Sequence, residues 1–250
     1  MSRITLLFIF LLLLTACKKD DVVNDPISST IQIATYSNGE KVNDNQAISL
    51  YDGISYKITS LKYYISNVRL VNAQGQETPF VMDEKILGSE QGVFLYELGE
   101  NEKFEGVIPA AQYVKIRFDL GLDTELNNLD PNQFSAKHPL SRDTDMFWDM
   151  MKYRFVIMEA DADTSKVDLY NFPFSFHLGG NEFLRHVELD INWNVKSNST
   201  STLPIRFDLD KVFTDGTEQI DILKFFSYHS APGQKEIGLK LMDNISKSFE

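Results

Sequence analysis

Short runs of β-branched and aromatic residues, separated by turn residues, recur along this chain and constrain its fold more than any other feature. Residues 113–121 (YVKIRFDLG) alternate between apolar and polar side chains, as a half-buried strand does. Runs of similar β-rich composition cover residues 31–36, 55–70, 92–98, 153–159, 172–178, 187–191 and 203–209. This pattern predicts an all-β protein, a single β-sandwich of the Ig-like or jelly-roll type over residues 31–250.

Two regions depart from the strand pattern. Residues 121–145 are polar and rich in turn residues, and a loop of that length inside a compact domain usually has a function. Near the C-terminus, apolar residues at helical spacing predict a short helix within residues 237–249. Residues 209–213 are predicted to form a short helical or turn segment.

The composition excludes several classes of protein. The chain has 250 residues, of which 43% are hydrophobic, so it can bury a sizeable core. Its formal net charge of −12 argues against nucleic-acid binding, which requires a basic surface. The single cysteine excludes an intramolecular disulfide and a Cys-rich metal cluster. Without a Gly-rich phosphate loop, a GxSxG or an HExxH motif, the sequence predicts a protein that is not an enzyme.

The N-terminal segment has the features of a bacterial lipoprotein signal. Arg3 is followed by an apolar run, Ile4 to Leu14, which is too short to span a bilayer comfortably. The run ends in Leu-Thr-Ala-Cys, and Cys17 is the only cysteine. We expect residues 1–16 to be a signal peptide and Cys17 to be lipidated, which anchors the protein to a membrane. The alternative is an ordinary signal peptide followed by a chance cysteine.

The residues after Cys17 bear on localisation. Lys18-Lys19-Asp20-Asp21 resembles the export signal of surface lipoproteins in the Bacteroidetes. This resemblance implies an outer-membrane lipoprotein displayed at the cell surface, with a periplasm-facing anchor as the alternative. Residues 17–30 are predicted to comprise the anchor and a flexible tether.

The four histidines are the candidate ligands of a metal ion, although sequence spacing does not show that they converge. Taken alone, a histidine is more often an ordinary surface or packed residue. His177 shares one face of its predicted strand with Ser175 and lies near the strand end. His138 lies in the long loop, His186 precedes a predicted strand, and His229 lies near a predicted loop.

Met146-Phe147-Trp148-Asp149-Met150-Met151 places three methionines around a tryptophan just after the long loop. Thioether sulfur is a soft ligand suited to Cu(I), which makes Met146 a candidate ligand. Hydrophobic core is the alternative and the favoured interpretation, because methionines fill irregular gaps beside tryptophan. The acidic residues at 119–130 fit no EF-hand spacing, and no carboxylate pair stands out for glycoside hydrolysis.

Several of these blocks together resemble a known family. The segment KYYISNVRL at 62–70, DLGLD at 119–123, the block from Met146 to Glu159 and FHLG at 176–179 are similar, in this order, to blocks of the MbnP-like family of methanobactin-associated copper-binding proteins. The resemblance covers residues 31–250. It implies a β-sandwich that binds copper through histidines.

The resemblance also implies roles for particular residues. His177 lies in the matching block and is the best candidate ligand, while His138 and His229 are weaker candidates. Trp148 matches a tryptophan that, in some members, a partner dihaem peroxidase oxidises to kynurenine next to the metal. Two differences weaken the expected site: Met150 and Lys152 replace a second tryptophan and a glycine, and residues 31–36 contain no histidine. Met146 or Met150 is the candidate to replace the lost ligand.

Two functions are favoured from the sequence, and an enzyme is the third and least favoured hypothesis because no nucleophile–base pair or carboxylate pair can be named. The first is an envelope lipoprotein that binds a metal ion, copper by preference, for capture or handling without catalytic turnover. The second is a surface module that binds a glycan, a peptide or a partner protein without a metal. In that case Tyr63, Tyr64, Phe147 and Trp148 are the candidate aromatic platform, although aromatics at strand spacing are more often part of the core.

Overall fold

The computed structural model describes residues 26–43, 45–82, 92–197, 199–229 and 233–250. The predicted signal peptide, Cys17 and the motif at 18–21 lie outside the described residues. The described strands are β1 (Ile27–Ser37), β2 (Glu40–Lys41), β3 (Ile48–Ser49), β4 (Ser55–Asn72), β5 (Glu77–Pro79), β6 (Val81–Met82), β7 (Val93–Glu97), β8 (Lys103–Ile108), β9 (Ala111–Leu120), β10 (Phe147–Trp148), β11 (Lys152–Asp163), β12 (Phe172–Gly179), β13 (Arg185–Val195), β14 (Ser201–Asp208) and β15 (Ser227–Tyr228). The described helices are α1 (Thr124–Asn127), α2 (Lys235–Ser246) and four single-turn 3₁₀ helices at Pro131–Gln133, Arg142–Thr144, Asn181–Phe183 and Leu209–Lys211.

The strands form two sheets, which confirms the predicted β-sandwich. The smaller sheet has the order β14-β1-β8-β6, with β2 paired to β1. The larger sheet has the order β13-β9-β4-β11-β12-β15, with β3, β5 and β7 paired to β4 and β10 paired to β11. Most pairs are antiparallel, whereas β1–β14 and β12–β15 are parallel.

The core lies between the two sheets and is strongly aromatic. Alternation along β1 buries Ile31 and Ile33, as the strand period of two requires. The ring of Tyr63 on β4 lies 5.3 Å from that of Phe207 on β14 and thus joins the sheets. Each such large side chain, when fully buried, contributes about 1.5–3 kcal/mol of hydrophobic stabilisation.

Both ends of the domain are tied into the sandwich. The tether was predicted to extend to residue 30, but β1 begins at Ile27, which is opposite Ile108 of β8. The predicted C-terminal helix is α2, and it ends at Ser246. Phe249 lies beyond it, forms a bridge with Phe207 and is only 4% exposed, so the last residues close the core.

Strand β8 was not predicted from the sequence. Its central Gly106 is a poor strand residue. In the structure this glycine makes room for Phe80, because a Cβ built there would lie 2.5 Å from Phe80 Cε1.

The predicted long loop is a series of capped turns that leads to β10. Asp123 accepts a hydrogen bond from the Leu126 N–H at 2.8 Å and caps α1. Asp130 and Ser141 cap the first two 3₁₀ helices in the same way. The loop thereby acquires a defined path that brings Met146 and Trp148 to the start of β11.

Candidate metal centre

Strand pairing brings two of the four histidines together. Strand β15 pairs in parallel with β12, with Ser227 opposite Ser175 and Tyr228 opposite Phe176. The next residues in that register are His177 and His229, so they lie side by side on the outer face of the larger sheet. The closest ring atoms are His177 Nδ1 and His229 Nδ1, which are 2.9 Å apart.

Two further side chains extend this pair into a row of four. His177 Nε2 lies 2.7 Å from Glu159 Oε1 of β11. His229 Nε2 lies 3.1 Å from Ser175 Oγ. Because Ser175 is opposite Glu159 across β11 and β12, all four groups share one face of the sheet.

These partners define the protonation of both rings. An ionised carboxylate only accepts hydrogen bonds, so we assign the proton of neutral His177 to Nε2, which leaves a lone pair on Nδ1. His229 then donates from Nδ1 to that lone pair, and its Nε2 accepts from the Ser175 hydroxyl. Burial lowers the pKa of His177, against the opposing effect of the Glu159 hydrogen bond, which favours the neutral ring near pH 7.

A half-buried arginine completes the surroundings of His177. Arg154 Nη1 lies 3.3 Å from His177 Nδ1, and the Arg154 backbone N–H donates to the Met146 carbonyl oxygen at 2.7 Å. Burial lowers the pKa of Arg154. Its buried Nε has no hydrogen-bond partner among the described residues.

The other predicted site residues lie elsewhere. Met146 is fully buried in the hydrophobic core, where the alternative interpretation put it. The ring of His138 stacks on Phe134 at 4.2 Å, and its Nδ1 accepts a hydrogen bond from the Leu140 N–H. Trp148 lies in the β10–β11 hairpin opposite Lys152 and is 37% exposed.

His186 and two of the platform aromatics are also separate from the pair. The His186 side chain is largely exposed, and its Nδ1 lies 2.5 Å from Asp119 Oδ1 on β9. Tyr63 and Tyr64 are fully buried, so the idea that they form a surface platform was wrong. Their position on the central strand β4 directs both rings into packed layers, where Tyr63 stacks on Tyr96 and Tyr64 contacts Tyr153.

The two Nδ1 atoms of His177 and His229 are spaced to fill two coordination positions of one metal ion. Two imidazole nitrogens, each about 2.0 Å from one ion, are roughly 2.8–3.4 Å apart in common coordination geometries. The observed separation of 2.9 Å falls within that range. Imidazole nitrogen suits copper and zinc. Among the described residues, no group of three or more His, Cys, Asp or Glu side chains is arranged to hold a metal ion.

The sequence matches the family model of MbnP over residues 26–230. The chain belongs to the MbnP family. This confirms the resemblance seen in its sequence blocks. The structure of MbnP from Methylosinus trichosporium is similar, with a TM-score of 0.53 and 16% sequence identity over 78% of this chain and 79% of that chain. At this identity the likeness shows a shared fold. No curated protein gives a significant match.

Glu159 and Arg154 lie in one of the blocks that resemble MbnP, but their contacts with His177 were not predicted from the sequence. Both belong to β11, whose alternation places Glu159 on the outer face, but only the pairing with β12 shows that this face carries His177. Ser175 was correctly placed on the same face as His177. Its contact with His229 depends on β15, a strand of two residues that leaves no periodic signal.

Proposed function

We propose that this chain is a metal-binding protein of the cell envelope that holds copper as its cargo at His177 and His229, without catalytic turnover. The observation that carries the proposal is the 2.9 Å approach of the two Nδ1 atoms, each on a ring whose other nitrogen has a hydrogen-bond partner. Membership of the MbnP family supports copper as the metal.

The hydrogen-bond partners suit the two rings to binding. Glu159 holds the His177 proton on Nε2, so the Nδ1 lone pair faces the site. His229 must present its own Nδ1 lone pair, so its proton moves to Nε2. Ser175 allows this change, because a hydroxyl both donates and accepts and keeps its bond with either tautomer of His229.

We also propose that the protein is held at the outer membrane by lipids on Cys17, surface-exposed if the motif at 18–21 acts as an export signal. Ten residues, 17–26, precede β1 and span at most about 35 Å when extended. This length lets the domain stand clear of the bilayer surface. Among the described residues, no helix is long and apolar enough to cross a membrane.

Trp148 is the residue that we propose for oxidation by a dihaem peroxidase partner. Its exposure of 37% makes part of the ring accessible to a partner protein. Intact-mass measurement of the native protein tests this, with an increase localised to Trp148 as the expected result. An unmodified mass would contradict it.

The copper proposal is tested by counting metal per chain. The purified protein is loaded with copper under reducing conditions and dialysed, beside His177→Ala, His229→Ala and the control His186→Ala. We expect about one copper in the parent and in the control, and much less in the other two variants. Equal copper in all four proteins would contradict the proposal. Glycan or peptide binding that is insensitive to chelators would favour the module without a metal.

A further inference from the structure

Besides His229, the Arg154 guanidinium also lies against the nitrogen that the proposed function assigns to the metal. Its Nη1 lies 3.3 Å from His177 Nδ1, the ring nitrogen that carries the lone pair. An imidazole nitrogen has one lone pair in the ring plane. That lone pair does not at once accept a hydrogen bond from a guanidinium and coordinate a metal ion.

The guanidinium is held beside the site by its backbone. The Arg154 N–H donates to the Met146 carbonyl oxygen at 2.7 Å, and Arg154 is opposite Gly179 at the end of β12. A Cβ at Gly179 would lie 2.6 Å from the Tyr153 carbonyl oxygen, so glycine permits the close approach of the two strands. The pairing of β11 with β12 thus places the Arg154 side chain next to His177.

Within the part of the chain that the structure describes, the positive charge of Arg154 has no carboxylate partner in direct contact. No ion pair within 4.0 Å involves Arg154 among the described residues, and its buried Nε also lacks a hydrogen-bond partner there. Asp145 and, less strongly, Glu159 are near enough to affect it electrostatically, but neither forms an ion pair with it, and the Oε1 of Glu159 is bonded to His177. A metal ion at His177 Nδ1 would thus meet a cation whose charge these two carboxylates offset only from a distance.

We propose that Arg154 competes with the metal ion for His177 Nδ1 and thereby limits the affinity of the site, most strongly for divalent ions. This inference rests on the proposed function. In the metal-free protein Arg154 Nη1, at 3.3 Å, shares the lone pair of His177 Nδ1 with the closer His229 Nδ1, at 2.9 Å. Metal binding breaks that contact and moves the guanidinium away. Repulsion between charges scales with their product, so a divalent ion is penalised more than a monovalent ion.

The test compares the parent with Arg154→Met and Arg154→Lys. Methionine keeps much of the side-chain length but removes the charge and the donors, whereas lysine keeps the charge. Dissociation constants are measured by competition with chelators, for Cu(I) without oxygen and for Cu(II) in air. We expect Arg154→Met to bind at least about tenfold more tightly than the parent, with a larger gain for Cu(II) than for Cu(I). Arg154→Lys should stay close to the parent.

Salt provides a readout that a purely structural role would not change. Added salt screens the repulsion, so the affinity of the parent should rise with ionic strength more than that of Arg154→Met. If a thermal melt shows that Arg154→Met does not fold, Arg154→Gln replaces it, with the same direction expected.

Each outcome separates the inference from the proposed function. Copper binding that is equal in parent and variant, or weaker in the variant, overturns the competition and leaves the copper site standing. Binding that appears only in the variant supports the competition. Absence of copper binding in every protein overturns the proposed function and the inference with it.

Discussion

Replacing Glu159 by alanine removes the carboxylate oxygen that lies 2.7 Å from His177 Nε2. The carboxylate accepts and does not donate, so it keeps the His177 proton on Nε2 and the lone pair on Nδ1. Without it, His177 exchanges freely between tautomers, and only one of them presents Nδ1 to the metal. We therefore expect the alanine variant to bind copper more weakly than the parent.

The magnitude follows from the type and the exposure of this bond. A hydrogen bond to a charged group contributes about 1.5–3 kcal/mol. The Glu159 side chain is 40% exposed, so water screens the charge, and we discount the contribution to about 1–1.5 kcal/mol. This corresponds to a loss of roughly five- to tenfold in copper affinity. Glu159→Gln keeps an acceptor oxygen without the charge, and we expect a smaller loss of about threefold.

The assay is a competition titration with a chelator of known copper affinity, run on parent, Glu159→Ala, Glu159→Gln and the control Glu188→Ala. Glu188 pairs with Lys115 and Arg117 on the β9–β13 side of the same sheet, and its removal should leave copper affinity unchanged. NMR of the ring nitrogens reports the His177 tautomer directly in the metal-free proteins. A Glu159→Ala variant that binds within twofold of the parent and keeps the Nε2 proton would refute the reasoning.

Two further predictions concern stability. Phe249→Ala should destabilise the protein by about 3 kcal/mol, because the ring packs on Tyr63, Phe118 and Phe207. Calorimetry should show a Tm lower by roughly 6–12 °C. An unchanged Tm would show that the C-terminus does not close the core. Burial lowers the pKa of His177 below its ordinary value of about 6.5. Below pH 6.5 the unfolded chain therefore binds a proton that the folded protein does not, so the free energy of unfolding decreases as the pH decreases. Denaturant titrations between about pH 7 and pH 5 should show a smaller fall for His177→Asn, and equal slopes would contradict the assigned shift.

Much of the fold can be predicted from the sequence because the alternation of side chains along a strand is a local property. The runs at 55–70, 113–121 and 172–178 correspond to β4, β9 and β12, and the predicted terminal helix corresponds to α2. Local patterning fails where a strand is very short or contains glycine. Strands β8 and β15 are examples, and both depend on partners that are distant in sequence.

The candidate site was less predictable than the fold. The matching block drew attention to His177, and alternation placed Ser175 beside it. Whether a tyrosine on a central strand faces solvent or core depends on which layers cover that strand. Both faces of β4 are covered where Tyr63 and Tyr64 lie, so both side chains are buried.

The sequence by itself determined most of the long strands, the face of β12 on which His177 lies and the family to which the chain belongs. Tertiary structure decided which side chains surround His177. Glu159 is 18 residues away along the chain and His229 is 52 residues away, and both reach His177 through strand pairing. Side-chain periodicity is set within a strand, whereas order and register between strands depend on how the whole core packs.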